Sequence, residues 1–409
     1  MISIFTPTNN PKYLQDCYDS LASQTLQEWE WIIVYNNGAG VINFQDERVK
    51  EYFTGRLAGV GAAKKNACEK ATGDILAELD HDDILLPTAL EKIQEAFNKH
   101  PGAVCVYSDF SQINENKTPN HDTFNESFGW KSRDEDGYLV YESFDPTPAA
   151  MGYIWFMPNH VRAFRKSAYD AVGGYNESLA VLDDQDLLTR LFCYGDFYHI
   201  PELLYLQRVH HSQTQKVRNA EIQVKTVQMY RESIVDVSLA WANRSNLLSL
   251  DFGAFHRKAE GFLSVDMREG DGVDIVADLN QKFPWPDNSV GVIRAVDFLE
   301  HIPDKLHIIK EIHRVLAPGG MLLSMTPSTD GRGAFQDPTH VAFYNEHSFW
   351  YYCRKQYRDF VDGLQGVTFK ESYLATEFIS DWHKANNVPY VIANLVAIKD
   401  HTYIPGRGN

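Results

Sequence analysis

The sequence contains no CxxC pair and only five cysteines, Cys17, Cys68, Cys105, Cys193 and Cys353, spread through 409 residues. An odd, scattered set supports neither a thiolate zinc site nor a disulfide framework, and it suits reduced, mostly buried thiols in a cytoplasmic compartment. No apolar run approaches the roughly 18–20 residues that span a bilayer, so no transmembrane segment is expected. The opening MISIFTPTNN has neither a basic flank nor a small-residue cleavage site, and it reads as a first strand rather than a signal peptide. Runs of Lys or Arg, internal repeats and low-complexity tracts are missing as well. Lys and Arg number 38 against 55 Asp and Glu, a net charge of −17. So acidic a chain repels phosphate backbones, and no nucleic-acid partner is expected. What is present is a globular composition, 44% hydrophobic and 23% charged, long enough for two or three domains. The 13% aromatic content fits stacking on sugars as well as rich cores.

Strand-like and helix-like segments alternate in two series, which predicts an α/β protein with parallel sheets covered on both faces. The first series runs through ISIFTPT (2–8), a helix over about 13–23, EWIIVY (30–35), a helix near 61–71, DILAELD (74–80), a helix from Pro87 and AVCVYSD (103–109). The stretch 216–245 has no Gly or Pro and predicts a long helix. The second series comprises LLSLDF (247–252), FLSVDM (262–267), DIVADL (274–279), VGVIRAV (290–296), a helix over about 304–316 stopped by APGG (317–320), MLLSMTP (321–327) and VIANLVAI (391–398). The expected division is a domain over 1–215, a helical linker over 216–245 and a second domain over 246–409.

Three clusters carry chemistry. ILAELDHDDILLP (75–87) ends a buried strand in Asp80, Asp82 and Asp83, with His81 among them. Carboxylates gathered where α/β sheets bind ligands suit Mg²⁺ or Mn²⁺, while Asp82 or Asp83 equally suits capping of the next helix. GGYNESLAVLDDQDLLTRL (173–191) opens a helix with Asp183, Asp184 and Asp186, more acid than capping needs, so one of them is a candidate general base. LLYLQRVHHSQTQ (203–215) presents Arg208, His210 and His211 after a strand.

With FTPTNN (5–10), SLASQTLQEWEWIIVYNNGAG (20–40), GAAKKNACEKATGDILAELDHDDILLP (61–87), FRKSAYDAVGGYNESL (164–179), DDQDLLTRL (183–191) and QRVHHSQT (207–214) in order, residues 1 to about 215 resemble an inverting family-two glycosyltransferase with the nucleotide-sugar-binding, Rossmann-like A-type fold. The resemblance implies transfer of a sugar from a nucleoside diphosphate donor, UDP-sugar first, to a glycan or other hydroxyl acceptor. ELDHDD stands at the family's Asp-x-Asp signature, so Asp80 is expected near the ribose or metal and Asp82 as the metal ligand, with Asp83 orienting the loop and capping the next helix. His210 stands at the Arg-x-His position as a further ligand to the Mn²⁺ or Mg²⁺, with His211 the alternative. DDQD implies Asp184 as catalytic base, Asp183 as the alternative and Asp186 as support for the helix terminus. Thr6, Pro7 and Thr8 are expected to line the nucleoside pocket, and Lys65 and Asn66 to approach the donor. Asn37 replaces the acidic residue that usually faces the base. Tyr153 and Trp155 suit either an acceptor wall or the core.

LLSLDFGAFHRKAEGFLSVDM (247–267), DIVADLN (274–280), FPWPDNSVGVIRAVDFLEHIPD (283–304) and RVLAPGGMLLSMTP (314–327) resemble a class I S-adenosylmethionine-dependent methyltransferase, a second Rossmann domain. The resemblance implies Gly253 at the cofactor turn, Asp266 on the ribose, Asp278 near the adenine amine and His301 on the substrate side. Ala254 and Phe255 depart from the family's glycine-rich turn. Two readings therefore stand: a bifunctional enzyme that also methylates its glycan, or a module without that activity. A non-catalytic glycan-binding scaffold is the reading of another class. The stretch 328–352 suits an active-site lid, an acceptor loop or an ordinary packed loop.

Overall fold

The computed structural model describes residues 1–57, 59–121, 129–211, 213–255 and 258–399. Two compact units emerge, one holding nearly all of the chain up to Ser233 and the other nearly all of it from Ile234. The change of unit falls inside a long helix, Asn219–Arg244, which occupies the stretch without Gly or Pro.

Among the described residues of the first unit, ten strands form one sheet. They are β1 (Ile2–Thr8), β2 (Trp29–Tyr35), β3 (Val49–Phe53), β4 (Ile75–Glu78), β5 (Ile84–Leu85), β6 (Ala103–Ile113), β7 (Lys131–Glu135), β8 (Tyr138–Glu142), β9 (Arg162–Arg165) and β10 (Asp196–Arg208). The main path is β3-β2-β1-β4-β9-β6-β10-β5. Strand β2 is buried along its whole length and β1 nearly so, as expected for apolar runs covered on both faces.

The expected parallel sheet is a mixed one, parallel in β3-β2-β1-β4 and in the β6–β10 pair. Strand β9 lies antiparallel between β4 and β6, and β5 and β8 also pair antiparallel. The antiparallel run has a chemical consequence. It carries the N-terminal end of β9 to the C-terminal ends of β1, β4 and β10, so His160 and Arg162 meet the residues that follow β4. The helix expected from Pro87 begins at Ala89, with Thr88 at its N-cap position. Neither Asp82 nor Asp83 caps it, which removes the capping role expected of them.

The second unit holds, among its described residues, a seven-stranded sheet of order β13-β12-β11-β14-β15-β17-β16. Its strands are β11 (Leu248–Phe252), β12 (Leu263–Asp266), β13 (Ile275–Val276), β14 (Val290–Val296), β15 (Leu316–Pro327), β16 (Thr368–Glu377) and β17 (Tyr390–Ile398). The pairs from β13 to β15 are parallel, and β17 and β16 close the edge antiparallel. Phe252, Ile293, Ile309, Leu322, Phe369 and Leu395 anchor the core beneath it. The helix expected to stop at APGG does so. The helix Lys305–Val315 ends before it, and Ala317–Gly320 sit inside β15 as a bulge between the Val290↔Leu316 and Val292↔Met321 pairs, with Gly319 at φ 82°. Both units are thus α/β. No described helix is long and apolar enough to cross a membrane.

Candidate active site

In the first unit the chemistry gathers at one end of the sheet. The order β3-β2-β1-β4 reverses direction between β1 and β4, the position where open α/β sheets bind ligands beyond their strand ends. Thr6–Thr8 finish β1, Asn36 and Asn37 follow β2, and Asp80–Asp83 follow β4. These segments are tied together: Asn36 N–H donates to the Thr8 carbonyl at 2.8 Å, and the Thr6 hydroxyl donates to the Leu79 carbonyl at 2.7 Å.

Beneath this end lies a buried charge lattice that the sequence reading missed. Lys64 Nζ stands 2.6 Å from Glu78 Oε1 and 3.1 Å from Asp183 Oδ2. Arg162 reaches Glu78 Oε2 at 2.8 Å through Nε and Asp184 Oδ2 at 3.0 Å through Nη1. The helix Val60–Cys68 comes close enough for this because Gly61 has no side chain: a Cβ there would stand 2.6 Å from the Asn176 carbonyl oxygen and 3.1 Å from Asp183 Cβ. Burial opposes the charge on Glu78, but Arg162 and Lys64 outweigh it and hold the carboxyl well below its usual range. Burial also opposes the charge on Lys64, and Asp183 and Glu78 more than offset it, so the amine stays protonated. Asp183 is pushed upward by burial against the pull of Lys64. The two neighbouring acids thus differ in setting: the Asp183 side chain is 7% exposed and locked on Lys64, whereas that of Asp184 is 25% exposed and braced by Arg162. Asp186 pairs with Arg190 one turn along the same helix.

The second cluster begins 2.6 Å apart, at His210 Nε2 and Asp82 Oδ2. The structure brings these two together across 128 positions of sequence, while His211 is exposed. Asp83 is spent on architecture: its carboxylate accepts from Tyr205 Oη at 2.8 Å and from the Arg208 backbone N–H at 2.7 Å. Arg208 is fully buried and braces the loop, donating to the carbonyls of Asp82 and Glu115 and to Asp16. Asp80 faces His160, Nε2 to Oδ2 3.8 Å, and the His160 ring stacks on Tyr205 at 4.3 Å between centroids. Burial, then Arg162, keeps His160 neutral, and its Nδ1 is buried without a hydrogen-bond partner. Burial, then Glu78, pushes Asp80 upward. A neutral imidazole with an orphaned nitrogen beside carboxylates crowded enough to disfavour their own charge is a donor set that fits a divalent cation. Ligand atoms of Asp80, Asp83 and His160 all lie within 4.8 Å of one another, and Asp82, paired with His210, stands on the same loop as the two acids.

The remaining expected residues fall into different settings. The Thr6 hydroxyl is fully enclosed between Leu79 and Trp31 Nε1–H, so only its backbone faces the site. Thr8 is buried, accepting from Asn10 N–H, and Pro7 lies between them, half-buried. Asn37 is exposed in a left-handed turn, φ 57°, while Asn36 is buried and accepts from Leu57 N–H. Lys65 points away from the lattice, 3.8 Å from Glu177 on a mostly open surface, and Asn66 keeps a buried Oδ1 without a partner. Tyr153 is stacked between Trp155 at 5.2 Å and Tyr230 at 4.4 Å, a core aromatic, whereas Trp155 stays half-buried. Lys64, Glu78, His160 and Arg162 are the site residues that sequence reasoning passed over.

In the second unit Gly253, Asp266 and Asp278 end up near one another. Gly253 N–H donates to Val265, and Ala277 N–H donates to Asp266. Gly253 has φ 69°, and a Cβ there would stand 2.7 Å from the Phe298 ring. Phe255 also has positive φ, 34°, and its ring lies 3.0 Å from where a Cβ on Gly270 would be. Asp266 is half-buried and accepts from Arg268 N–H, while Asp278 is exposed and closes its own turn on Asn280. Asp251, just before the turn, is buried and committed to Arg294 and Ala259 N–H. The stretch 328–352 is partly helical, with a capping box at Asn345 and Ser348.

Residues 3–173 match the family described as glycosyl transferase family 2, and residues 257–324 match one described as a methyltransferase domain. The two matches fall one in each unit. It is 26% identical over 232 residues to a chondroitin synthase of Escherichia coli, covering 54% of this chain and 31% of that one. It is also 28% identical over 235 residues to the O-antigen biosynthesis glycosyltransferase WbnJ of Escherichia coli, covering 53% of this chain and 82% of the relative. A crystal structure of S. aureus TarS 1–349 in complex with UDP-GlcNAc aligns with a TM-score of 0.42 at 14% identity, over 60% of this chain and 71% of that one. The chain spans less than a third of the length of the chondroitin synthase it matches.

Proposed function

We propose that the first unit transfers a sugar from a nucleoside diphosphate donor, UDP-sugar first, to a hydroxyl of a glycan, with inversion at the anomeric carbon. The observation that carries this is the meeting of two arrangements at one sheet end: the Asp82–His210 pair, and Asp184 braced by Arg162 on the buried Glu78–Lys64 lattice. Asp184 takes the acceptor proton as the oxygen attacks, because it is the acid of its pair that is open to solvent, while Asp183 is held on Lys64. Arg162 orients the Asp184 carboxylate. Asp80, Asp82 and His210 hold a Mn²⁺ or Mg²⁺ ion. Bound there, such a cation supplies Lewis-acid neutralisation of the charge on the leaving diphosphate. Thr6–Thr8 and Asn37 flank the nucleoside at the ends of β1 and β2, and the likeness to a synthase of a polysaccharide supports a growing glycan as acceptor. Buried thiols at Cys17, Cys68, Cys105 and Cys353 are consistent with a cytoplasmic setting.

Asp184→Asn is expected to lower kcat by about 10²–10⁴-fold, the usual contribution of a general base, with donor affinity unchanged. Asp82→Ala is expected to abolish Mn²⁺-dependent donor binding. Wild-type turnover in both variants overturns the proposal.

A second reading concerns the other unit. Gly253, Asp266 and Asp278 stand together at the C-terminal ends of β11–β13, where a class I domain receives S-adenosylmethionine, and the left-handed Gly253 keeps the turn such a cofactor needs. The Phe298 ring closes on that turn, and Phe255 is directed toward Gly270. Calorimetry with S-adenosylmethionine and Asp266→Ala tests this reading, and no heat of binding at about millimolar cofactor removes it.

A further inference from the structure

The second unit contains a cleft of about 270 Å³ that neither the charge lattice nor the cofactor turn accounts for. Asp297, Glu300, His301, Asp337 and His340 line it. Glu300 follows β14 in the short helical turn Leu299–His301, and His340 arrives from a loop 40 residues later. That loop is fastened in place: the Glu300 carbonyl accepts from both Val341 N–H and Ala342 N–H at 2.9 Å.

Each side chain is then set in a particular state. The His301 Nδ1 lies 3.1 Å from the Thr339 carbonyl, and the His340 Nδ1 lies 3.0 Å from the Ala334 carbonyl. A carbonyl only accepts, so both rings place a proton on Nδ1, which leaves Nε2 as the nitrogen that a metal ion would take; His340 Nε2 stands 3.9 Å from Asp337 Oδ2. The rings stand 5.1 Å apart at 71°. Glu300 is 2% exposed; its Oε2 accepts from Thr326 at 2.6 Å, while its Oε1 is buried without any partner. Ligand atoms of Glu300, His301 and His340 all lie within 4.8 Å of one another. A buried carboxylate oxygen left unpaired is costly, and native folds rarely tolerate it without a water or an ion.

We propose that Glu300, His301 and His340 form a binding site for a divalent transition-metal ion in the second unit, distinct from the Asp82–His210 pair. Two imidazoles with one carboxylate favour Mn²⁺, Fe²⁺, Co²⁺ or Zn²⁺ over Mg²⁺, and three protein ligands leave positions open toward the cleft for oxygen ligands such as substrate hydroxyls. The backbone carbonyls behind the two histidines fix the rings as outer-shell partners do in metal sites.

The test is a Co²⁺ titration of the full chain carrying Asp82→Ala and His210→Ala, followed by visible absorption and by metal analysis after dialysis. One bound equivalent with a d–d band is expected. Adding Glu300→Gln, His301→Gln or His340→Gln is expected to weaken binding at least about tenfold. In the otherwise unaltered chain the same three changes are expected to remove one bound equivalent. Circular dichroism checks each fold; His301→Gln and His340→Gln keep the proposal decidable if the buried Glu300→Gln disturbs folding. Absence of a bound equivalent in the background chain, or affinity that none of the folded variants lowers, overturns it.

Discussion

A lysine amine that stays charged while 6% exposed needs more than one counter-charge, and Lys64 has two, Glu78 and Asp183. Its neighbour Lys65 is near a single exposed glutamate. Removing one member of a buried ionic set strands the others without compensation, which typically costs about 3–5 kcal/mol. Lys64→Gln should therefore lower the unfolding free energy by roughly that amount, and Lys65→Gln by less than about 0.5 kcal/mol, as measured by urea denaturation. Equal effects would contradict the lattice. The difference was within reach of the sequence only through phase: Gly61, Ala67 and Cys68 mark the small face of the helix Val60–Cys68, and Lys64 lies on it while Lys65 does not. The acidic signature and the Arg-x-His segment were legible because each is compact in sequence. Their partners were not, since Arg162 meets Glu78 and Asp184 through tertiary contact, and no local pattern announces that an arginine will be buried.

At the scale of elements, most strands could be read because their apolar runs are continuous, β2 being the clearest case. Strand β9 could not. Its four residues, RAFR, include two arginines and lack any periodic signature; it is a strand because Ala163 and Phe164 fill the gap between β4 and β6. The parallel strands have their own fastening in Glu30 of β2. Its carboxylate accepts from Ser3 of β1, from the backbone and hydroxyl of Thr72 ahead of β4, and from Lys50 of β3. Burial opposes this charge, but the hydrogen bonds from Lys50, Ser3 and Thr72 outweigh it and hold the group at about 2, against an ordinary 4.5. A folded value below the unfolded one means the stabilisation is complete above about pH 4.5 and is lost as pH falls toward 2. Through this group alone the wild type should lose about 2 kcal/mol between pH 7 and pH 3. Glu30→Gln should be less stable at pH 7 and should show that much less of the acid loss. Parallel stability curves for the two proteins between pH 7 and pH 3 would refute the assignment.

On the scale of the whole molecule, two α/β units with their own sheets and their own strand-end sites imply two ligand responses that are separable by mutation. A ligand that binds only the folded state raises the free energy of unfolding by RT ln(1 + [L]/Kd), about 2.7 kcal/mol at a hundredfold excess over Kd. For units of this size that is a rise of roughly 5–10 °C in the unfolding midpoint. Measured against Mn²⁺ alone, adding a nucleotide-sugar donor should produce such a rise in the wild-type chain and none in Asp82→Ala. S-adenosylmethionine should produce one in the wild-type chain and in Asp82→Ala, but none in Asp266→Ala, which should in turn keep the full response to donor and Mn²⁺. The crossed design matters because a variant that merely unfolds loses both responses, whereas a variant that removes a ligand contact loses one. Differential scanning fluorimetry of the three proteins with each ligand decides among the functional readings. Two independent shifts support a transferase joined to a cofactor-binding partner. A donor shift alone leaves the second unit without S-adenosylmethionine, the outcome that the Phe298 ring closing on the turn at Gly253 would produce. No shift with any ligand would favour a scaffold built on two enzyme folds.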